Sequence, residues 1–171
     1  MMGANSTGQQ GWPGMMALVR AIRIRGCPVA PSSLPGQRVN VTLADMGMTR
    51  MMGGIAPMGF RMVLHAGPAI VAAGQISLVA LNVGWRTHEL VILPLSAGAT
   101  AGQRIAGSDG NVPETGSLGE ASSSCAAQCG SGNHRRSGGW VTVTLTPGRY
   151  ELVCILQNHY DDGMHQEFTV S

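Results

Sequence analysis

The distribution of apolar and polar residues along the chain predicts short β-strands rather than long helices. Arg38–Leu43 alternates polar and apolar residues, which is typical of a strand with one buried face. Turn signals such as Pro147–Gly148 separate such segments. Further strands are predicted at Phe60–His65, Gln75–Asn82, Thr87–Leu95, Trp140–Leu145, Arg149–Leu156 and His165–Val170. Seven short strands without a convincing long helix predict an all-β fold, a two-sheet Greek-key sandwich.

Two segments fall outside this pattern. Residues 1–37 are rich in Gly, Ser, Gln, Pro and Met and show no sustained period. We expect a flexible lead-in there, a misannotated leader or a tether, with a short helix near Met15–Ile24 as the minor alternative. A long loop insert, Ser96–Gly139, precedes the last three strands, and a short helix around Leu118–Ala127 is plausible within it. Residues 38–171 are predicted to form one domain.

Composition and charge exclude several classes of protein. Apolar residues make up 44% of the 171-residue chain, which excludes a disordered protein, and the 25 glycines and 9 prolines agree with many turns. From Arg38 onward, eight arginines stand against nine acidic residues, so we expect no nucleic-acid partner. No apolar run approaches the roughly 20 residues of a membrane helix. Met15–Val19 ends at Arg20, too early for a secretory signal.

The candidate chemistry lies near the C-terminus. Tyr150–Met164 contains the spacing Cys-x4-His-x4-Met, with Cys154, His159 and Met164. Strand alternation places Cys154 on the inward face of one strand and Met164 on the inward face of the next, with His159 in the connecting loop. Upstream, His88 begins a predicted strand and shares a face with Leu90 and Ile92.

These residue types suit copper. Two imidazoles, one thiolate and a weak axial thioether make up a type 1 site, which accommodates both Cu(I) and Cu(II). A lone Cys-x4-His arises by chance, and a lone His on an apolar face is usually a core residue. The added Met at the right offset and a second His at a strand start make the combination specific. We therefore predict one copper ion held by His88, Cys154, His159 and Met164.

The chain resembles the cupredoxins and, within them, the sulfocyanin-like copper-binding proteins of bacteria. The resemblance covers about 130 residues and is carried by Asp45–Met48, Thr87–Val91, Gly116–Ser122 and Gly148–Met164. It implies a cupredoxin-type sandwich and a mononuclear copper electron carrier outside the cytoplasmic membrane, periplasmic, cell-surface or secreted. The implied partners are redox proteins such as an oxidase, a nitrite reductase or a cytochrome. We expect a monomer with possible tethering to a membrane through its N-terminus.

Two features depart from that resemblance. Many cupredoxins have Asn after the first histidine ligand, where this chain has Glu89, so the hydrogen bond that Asn supplies is not expected. The sequence as given also contains no clear export signal.

The methionines of residues 46–58 admit two interpretations. They are a soft-ligand patch that holds or hands over Cu(I), or flexible side chains that fill space and form an adaptable surface. We favour the second. The residues are Met46, Met48, Met51, Met52 and Met58.

Cys125 and Cys129 lie in the insert at Cys-x3-Cys spacing. A disulfide is the simplest pairing in an oxidising compartment, although so short a loop strains it. A second metal site with His134 and a pair of free thiols are the alternatives.

Other polar side chains are expected to be exposed. His65 and His165 are predicted to face solvent rather than to bind metal, and Arg135 and Arg136 to form a solvated pair.

Three classes of function follow from this site. The leading hypothesis is an electron carrier, not an enzyme. The second is a copper-handling protein, a chaperone or sensor, that uses the methionines of residues 46–58. The third, a copper oxidase or nitrite reductase, needs extra histidines for a second copper centre that a single domain of this kind lacks.

Overall fold

The computed structural model describes residues 30–45, 62–121 and 132–171. Within these ranges the chain forms nine β-strands and no helix. The strands are β1 Gln37–Asp45, β2 Met62–Gly67, β3 Ile70–Val71, β4 Gly74–Asn82, β5 Val91–Pro94, β6 Gly119–Glu120, β7 Gly138–Leu145, β8 Gly148–Val153 and β9 His165–Val170.

The strands form two sheets that pack as a sandwich. One sheet has the order β2-β1-β4-β7 and the other β3-β9-β8-β5-β6. β1 and β4 are parallel neighbours, so Asp45 and Asn82 end their strands at the same edge. β8 and β9 are antiparallel, with Val153 opposite His165. Residues that leave β8 and enter β9 therefore share one end of the molecule.

The space between the sheets is filled by the inward faces of the strands. Val39, Val41 and Leu43 alternate with exposed residues along β1, as the period of two requires. The same core contains Tyr150, Leu152, Cys154, Met164, Phe168 and Val170, which confirms the faces expected for β8 and β9.

The second sheet is also covered on its outer face. Val91 and Leu93 of β5 and Val153 of β8 form a separate apolar cluster with Val112 and Tyr160. Since Ile92 belongs to the inter-sheet core, β5 is buried on both faces. This explains why it is continuously apolar rather than alternating. Val112 of this cluster comes from the segment between β5 and β6, and Tyr160 comes from the loop between β8 and β9.

The structure corrects several predicted elements. The suggested helix at Leu118–Ala127 is wrong at its start, because Gly119–Glu120 pairs with β5 as β6. The strand expected from Thr87 begins only at Val91, and His88 forms an isolated bridge instead. Two short strands, β3 and β6, were not predicted, because two-residue strands carry no periodic signal. No helix of the described residues has the length and apolar character needed to span a membrane.

Candidate metal centre

The ligand loop between β8 and β9 is a closed series of turns. Cys154 donates its backbone N–H to the Met164 carbonyl at 3.0 Å, and Met164 donates to the His159 carbonyl at 3.0 Å. Asn158 has a φ of 65°, in the left-handed region that Asn tolerates, and Gly163 has a φ of 107°. These bonds place the backbones of the three predicted ligands beside one another.

Three ligand atoms converge in the core. Nδ1 of His88 lies 3.2 Å from Nδ1 of His159, and Sγ of Cys154 lies 3.3 Å from the same His159 nitrogen. The side chains are buried, and their ligand atoms lie within 4.8 Å of one another. His88 and Cys154 are completely inaccessible, while His159 keeps 7% exposure. His159 is thus the member of the group that reaches the surface.

His88 reaches the group because a neighbouring segment fixes its backbone. His88 and Asn133 exchange N–H to carbonyl bonds of 3.1 and 2.6 Å. The Asn82 amide donates to the Asn133 carbonyl at 2.7 Å and to the Arg86 carbonyl at 2.6 Å. Gly132 precedes this bridge with a φ of 88° and passes so close to Thr87 that a side chain would not fit.

The imidazole of His88 is oriented by a carboxylate. Its Nε2 lies 3.2 Å from Oδ1 of Asp45. Because a carboxylate oxygen only accepts, Nε2 carries the hydrogen and Nδ1 keeps its lone pair toward His159 and Cys154.

Burial disfavours the charged form of each of the three side chains. It lowers the pKa of His159 to about 4, an effect to which the charges of His88 and Arg86 add. Burial also lowers the pKa of His88, although Asp45 opposes this. It raises the pKa of the Cys154 thiol to about 11. Metal binding must therefore displace a proton from Cys154.

Glu89 contributes through its backbone. Its N–H donates to Sγ of Cys154 at 3.2 Å, a bond that would strengthen on a thiolate. The side chain is 7% exposed, and burial, together with Glu120 and Glu114, raises its pKa to about 7.

Met164 is wholly buried in the same core cluster as Cys154. Its backbone bonds to both Cys154 and His159 tie it to the ligand loop. Its role as axial ligand stays a prediction.

The donor set fits copper of the type 1 class. Two imidazole nitrogens and one thiol sulfur on buried side chains are the His2Cys combination of type 1 sites, in which a methionine sulfur is the weak fourth ligand. The hydrogen bond to the Cys sulfur and the carboxylate on the His are the kind of supporting contacts that tune a metal.

A solved structure shows the same architecture. Auracyanin B is 17% identical over 85% of this chain and 96% of its own, with a TM-score of 0.50. The chain has a cupredoxin fold. Reduced auracyanin from Roseiflexus castenholzii is 15% identical over 80% of this chain and 99% of its own, with a TM-score of 0.46. Rusticyanin from Thiobacillus ferrooxidans is 17% identical over 80% and 79%, with a TM-score of 0.44. No protein-family model and no curated protein matches the chain.

Of the four side chains expected at the surface of this cupredoxin fold, three are exposed and one is half-buried. His65 is exposed, as predicted, but His165 is only half-exposed and its ring packs 4.9 Å from that of Tyr160. Arg135 and Arg136 are exposed, as expected, and the Arg135 guanidinium lies 3.2 Å above the Trp85 ring. The expectations for the methionines of residues 46–58 and for Cys125 and Cys129 lie outside the described residues.

Two acidic residues near the site were missed as contributors. Asp45 occupies the inward parity of β1, after Val39, Val41 and Leu43, and an acid on a core face signals a buried partner. That signal was available in the sequence. Glu151 sits on the outward parity of β8, where an acid is ordinary, so its burial had no sequence signal.

Proposed function

We propose that this protein holds one copper ion through His88, Cys154 and His159, with Met164 as axial ligand, and passes single electrons between redox proteins. The observation that supports this most directly is the convergence of two Nδ1 atoms and one Sγ within 4.8 Å on three buried side chains. Copper bound there would supply a one-electron couple between Cu(I) and Cu(II).

The residues around the ligands suit that task. Cys154 would give up its proton when copper binds. The Glu89 N–H, which already donates to Sγ, would then donate to the thiolate. The contact of His88 Nε2 with Asp45 leaves the lone pair of His88 Nδ1 directed toward His159, and burial favours the neutral imidazole of His159. Backbone bonds on both sides of the pocket hold these atoms in place before binding, which favours a site that changes little between oxidation states.

Burial favours electron carriage over catalysis on a bound substrate. His88 and Cys154 have no exposed surface, and His159 exposes only a small edge. An electron can pass through that edge, whereas a substrate molecule would need an open route to the ligand atoms. We propose redox proteins as partners and a location outside the cytoplasmic membrane, which the resemblance to cupredoxins supports.

The test is the visible spectrum of the copper-loaded protein. We expect an intense thiolate-to-copper band with Cu(II), since Cys154 binds as the thiolate. Cys154→Ser should abolish the band because a hydroxyl cannot replace it. Cys27→Ser, the same change in the lead-in, serves as the matched control and should keep the band. A band that survives Cys154→Ser, or a protein that takes up zinc and refuses copper, would contradict the proposal.

A further inference from the structure

Asp45 is the last residue of β1. It contacts His88 but is not one of the three proposed ligands that converge in the core. Its side chain is 13% exposed and lies against the turn that leads to His88. Gly84 makes room for it, since a Cβ at that position would collide with the Asp45 carboxylate. The absence of a side chain at Gly84 therefore lets the carboxylate lie against this turn.

One oxygen of Asp45 collects three hydrogen bonds. Oδ1 accepts from the backbone N–H groups of Trp85 at 2.6 Å and Arg86 at 3.1 Å. It also accepts from Nε2 of His88 at 3.2 Å. The two backbone donors hold the oxygen in place independently of the imidazole, so the oxygen can orient the ring.

The contact has an electronic consequence as well as a geometric one. A carboxylate that accepts from the far nitrogen of a metal-binding imidazole fixes its tautomer and makes the ligand nitrogen more basic. An anion near the metal also stabilises the ion of higher positive charge. Although burial raises the pKa of Asp45, the bonds from Arg86, His88 and Trp85 outweigh it and hold that pKa below its ordinary value.

We propose that Asp45 is a positioning residue that holds the His88 ring with Nδ1 toward the metal and biases the centre toward Cu(II). The inference rests on the proposed function of the site. The Asp45 carboxylate would set both the orientation of the His88 ring and part of the reduction potential of the centre.

The test compares Asp45→Asn with Asp161→Asn. Both changes remove one negative charge, but Asp161 is an exposed residue of the ligand loop. In Asp45→Asn the amide oxygen can still accept from the backbone, so the fold should persist. We expect Cu(II) affinity to fall about 10- to 100-fold, with a smaller loss for Cu(I). Each tenfold difference between the two losses raises the potential by about 59 mV. Asp161→Asn should change both affinities far less.

A second measurement needs no copper. Nitrogen NMR of the metal-free wild-type protein should show His88 with a protonated Nε2 and an unprotonated Nδ1. Asp45→Ala should populate the other tautomer. The opposite tautomer in the wild type, or equal shifts in potential for Asp45→Asn and Asp161→Asn, would overturn the inference. Because the visible band of the wild type tests the copper site separately, such a result would leave the proposed function standing.

Discussion

At the scale of single residues, the proposed copper centre divides into side chains that would hold the metal and side chains that would adjust its properties. His88, Cys154 and His159 present their ligand atoms to one another inside the core. Met164 is buried beside them and is attached through its backbone. The thioether is the weakest of the four donors, so its loss should matter least for binding and most for potential.

Met164→Leu should therefore raise the reduction potential and leave copper bound. Leu keeps most of the volume of Met, so the fold should lose less than about 1.5 kcal/mol. The measurement is a redox titration alongside a copper-binding titration.

His88→Ala is the matching change at an equatorial ligand. It removes one imidazole and opens a space in the core, so copper affinity should fall by more than about 100-fold, beyond the cost of losing a supporting contact. Equal losses of copper in the Met164 and His88 variants would contradict the division into axial and equatorial roles.

At the scale of the element, the two faces of β8 have different surroundings, one apolar and one polar. Tyr150 and Leu152 pack into the inter-sheet core in line with Cys154. Glu151 points the other way and is nevertheless completely buried. Its Oε1 accepts from the Tyr160 hydroxyl at 2.7 Å and from the Gly102 N–H at 2.7 Å.

The other oxygen of Glu151 completes an ion pair. Oε2 accepts from Nε of Arg104 at 2.6 Å. The backbone N–H of Arg104 also donates to the Tyr160 hydroxyl at 3.0 Å. Tyr160 is the neighbour of His159, so the network joins β8, the segment after β5 and the ligand loop.

Glu151→Gln should destabilise the metal-free protein. The change removes the carboxylate that pairs with Arg104. It also places an amide NH2 group, itself a donor, where a carboxylate oxygen accepted hydrogen bonds. Breaking a buried pair in this way costs about 3 kcal/mol, the low end of the usual range, because the Arg104 side chain is 25% exposed. Urea denaturation measures the loss.

Glu167→Gln is the control for this change. Glu167 lies directly opposite Glu151 in the register of β8 and β9, and it pairs with Arg149 at 2.7 Å. Both of those side chains are more than a third exposed, so solvent screens the pair and the loss should be much smaller. Similar losses at Glu151 and Glu167 would contradict a special role for the buried network.

At the scale of the whole molecule, the site occupies one end of the sandwich. β1 and β4 end there, β8 ends there, and β5 and β9 begin there. His159 reaches the surface at this end, and Trp85, 48% exposed, belongs to the turn that Asp45 binds. Tyr160, although it follows His159 in the chain, is not part of this surface, because it is 2% exposed and packs in the second apolar cluster.

Leu156→Glu should slow electron transfer to a partner and leave copper affinity unchanged. Leu156 is half-buried in the ligand loop near His159, and a weak redox encounter needs only a small contact that a charge disrupts. Stopped-flow reduction by a redox partner measures the effect. Ile70→Glu is the control, because Ile70 is 67% exposed on β3 and pairs with Thr169 toward the opposite end of β9.

A copper-handling protein would depend on the methionines of residues 46–58, whereas an electron carrier would not. Replacing Met46, Met48, Met51 and Met52 by Leu keeps most of the apolar volume and should leave electron transfer intact. A second bound Cu(I) and a Cu(I) transfer activity that both disappear in this variant would argue against the electron carrier.

The sequence by itself determined the parts of this protein that depend on local pattern. The period of two along β1, β8 and β9 identified their inward faces, and Cys154, His159 and Met164 fall within one loop of eleven residues. Strand alternation fixes the direction of Cys154 and Met164, because each continues the inward face of a neighbouring strand. His88 was predicted as a ligand because its residue type matched the missing donor.

Only the tertiary structure decided which distant groups surround those ligands. Asn133 bridges to His88 across 45 residues, Asp45 meets its imidazole across 43, and Glu151 is buried by a segment that has no periodicity. These contacts depend on how the two sheets and the covering segment meet. An acid on an outward strand face has the same sequence pattern whether water or a buried arginine lies opposite, and only packing distinguishes the two.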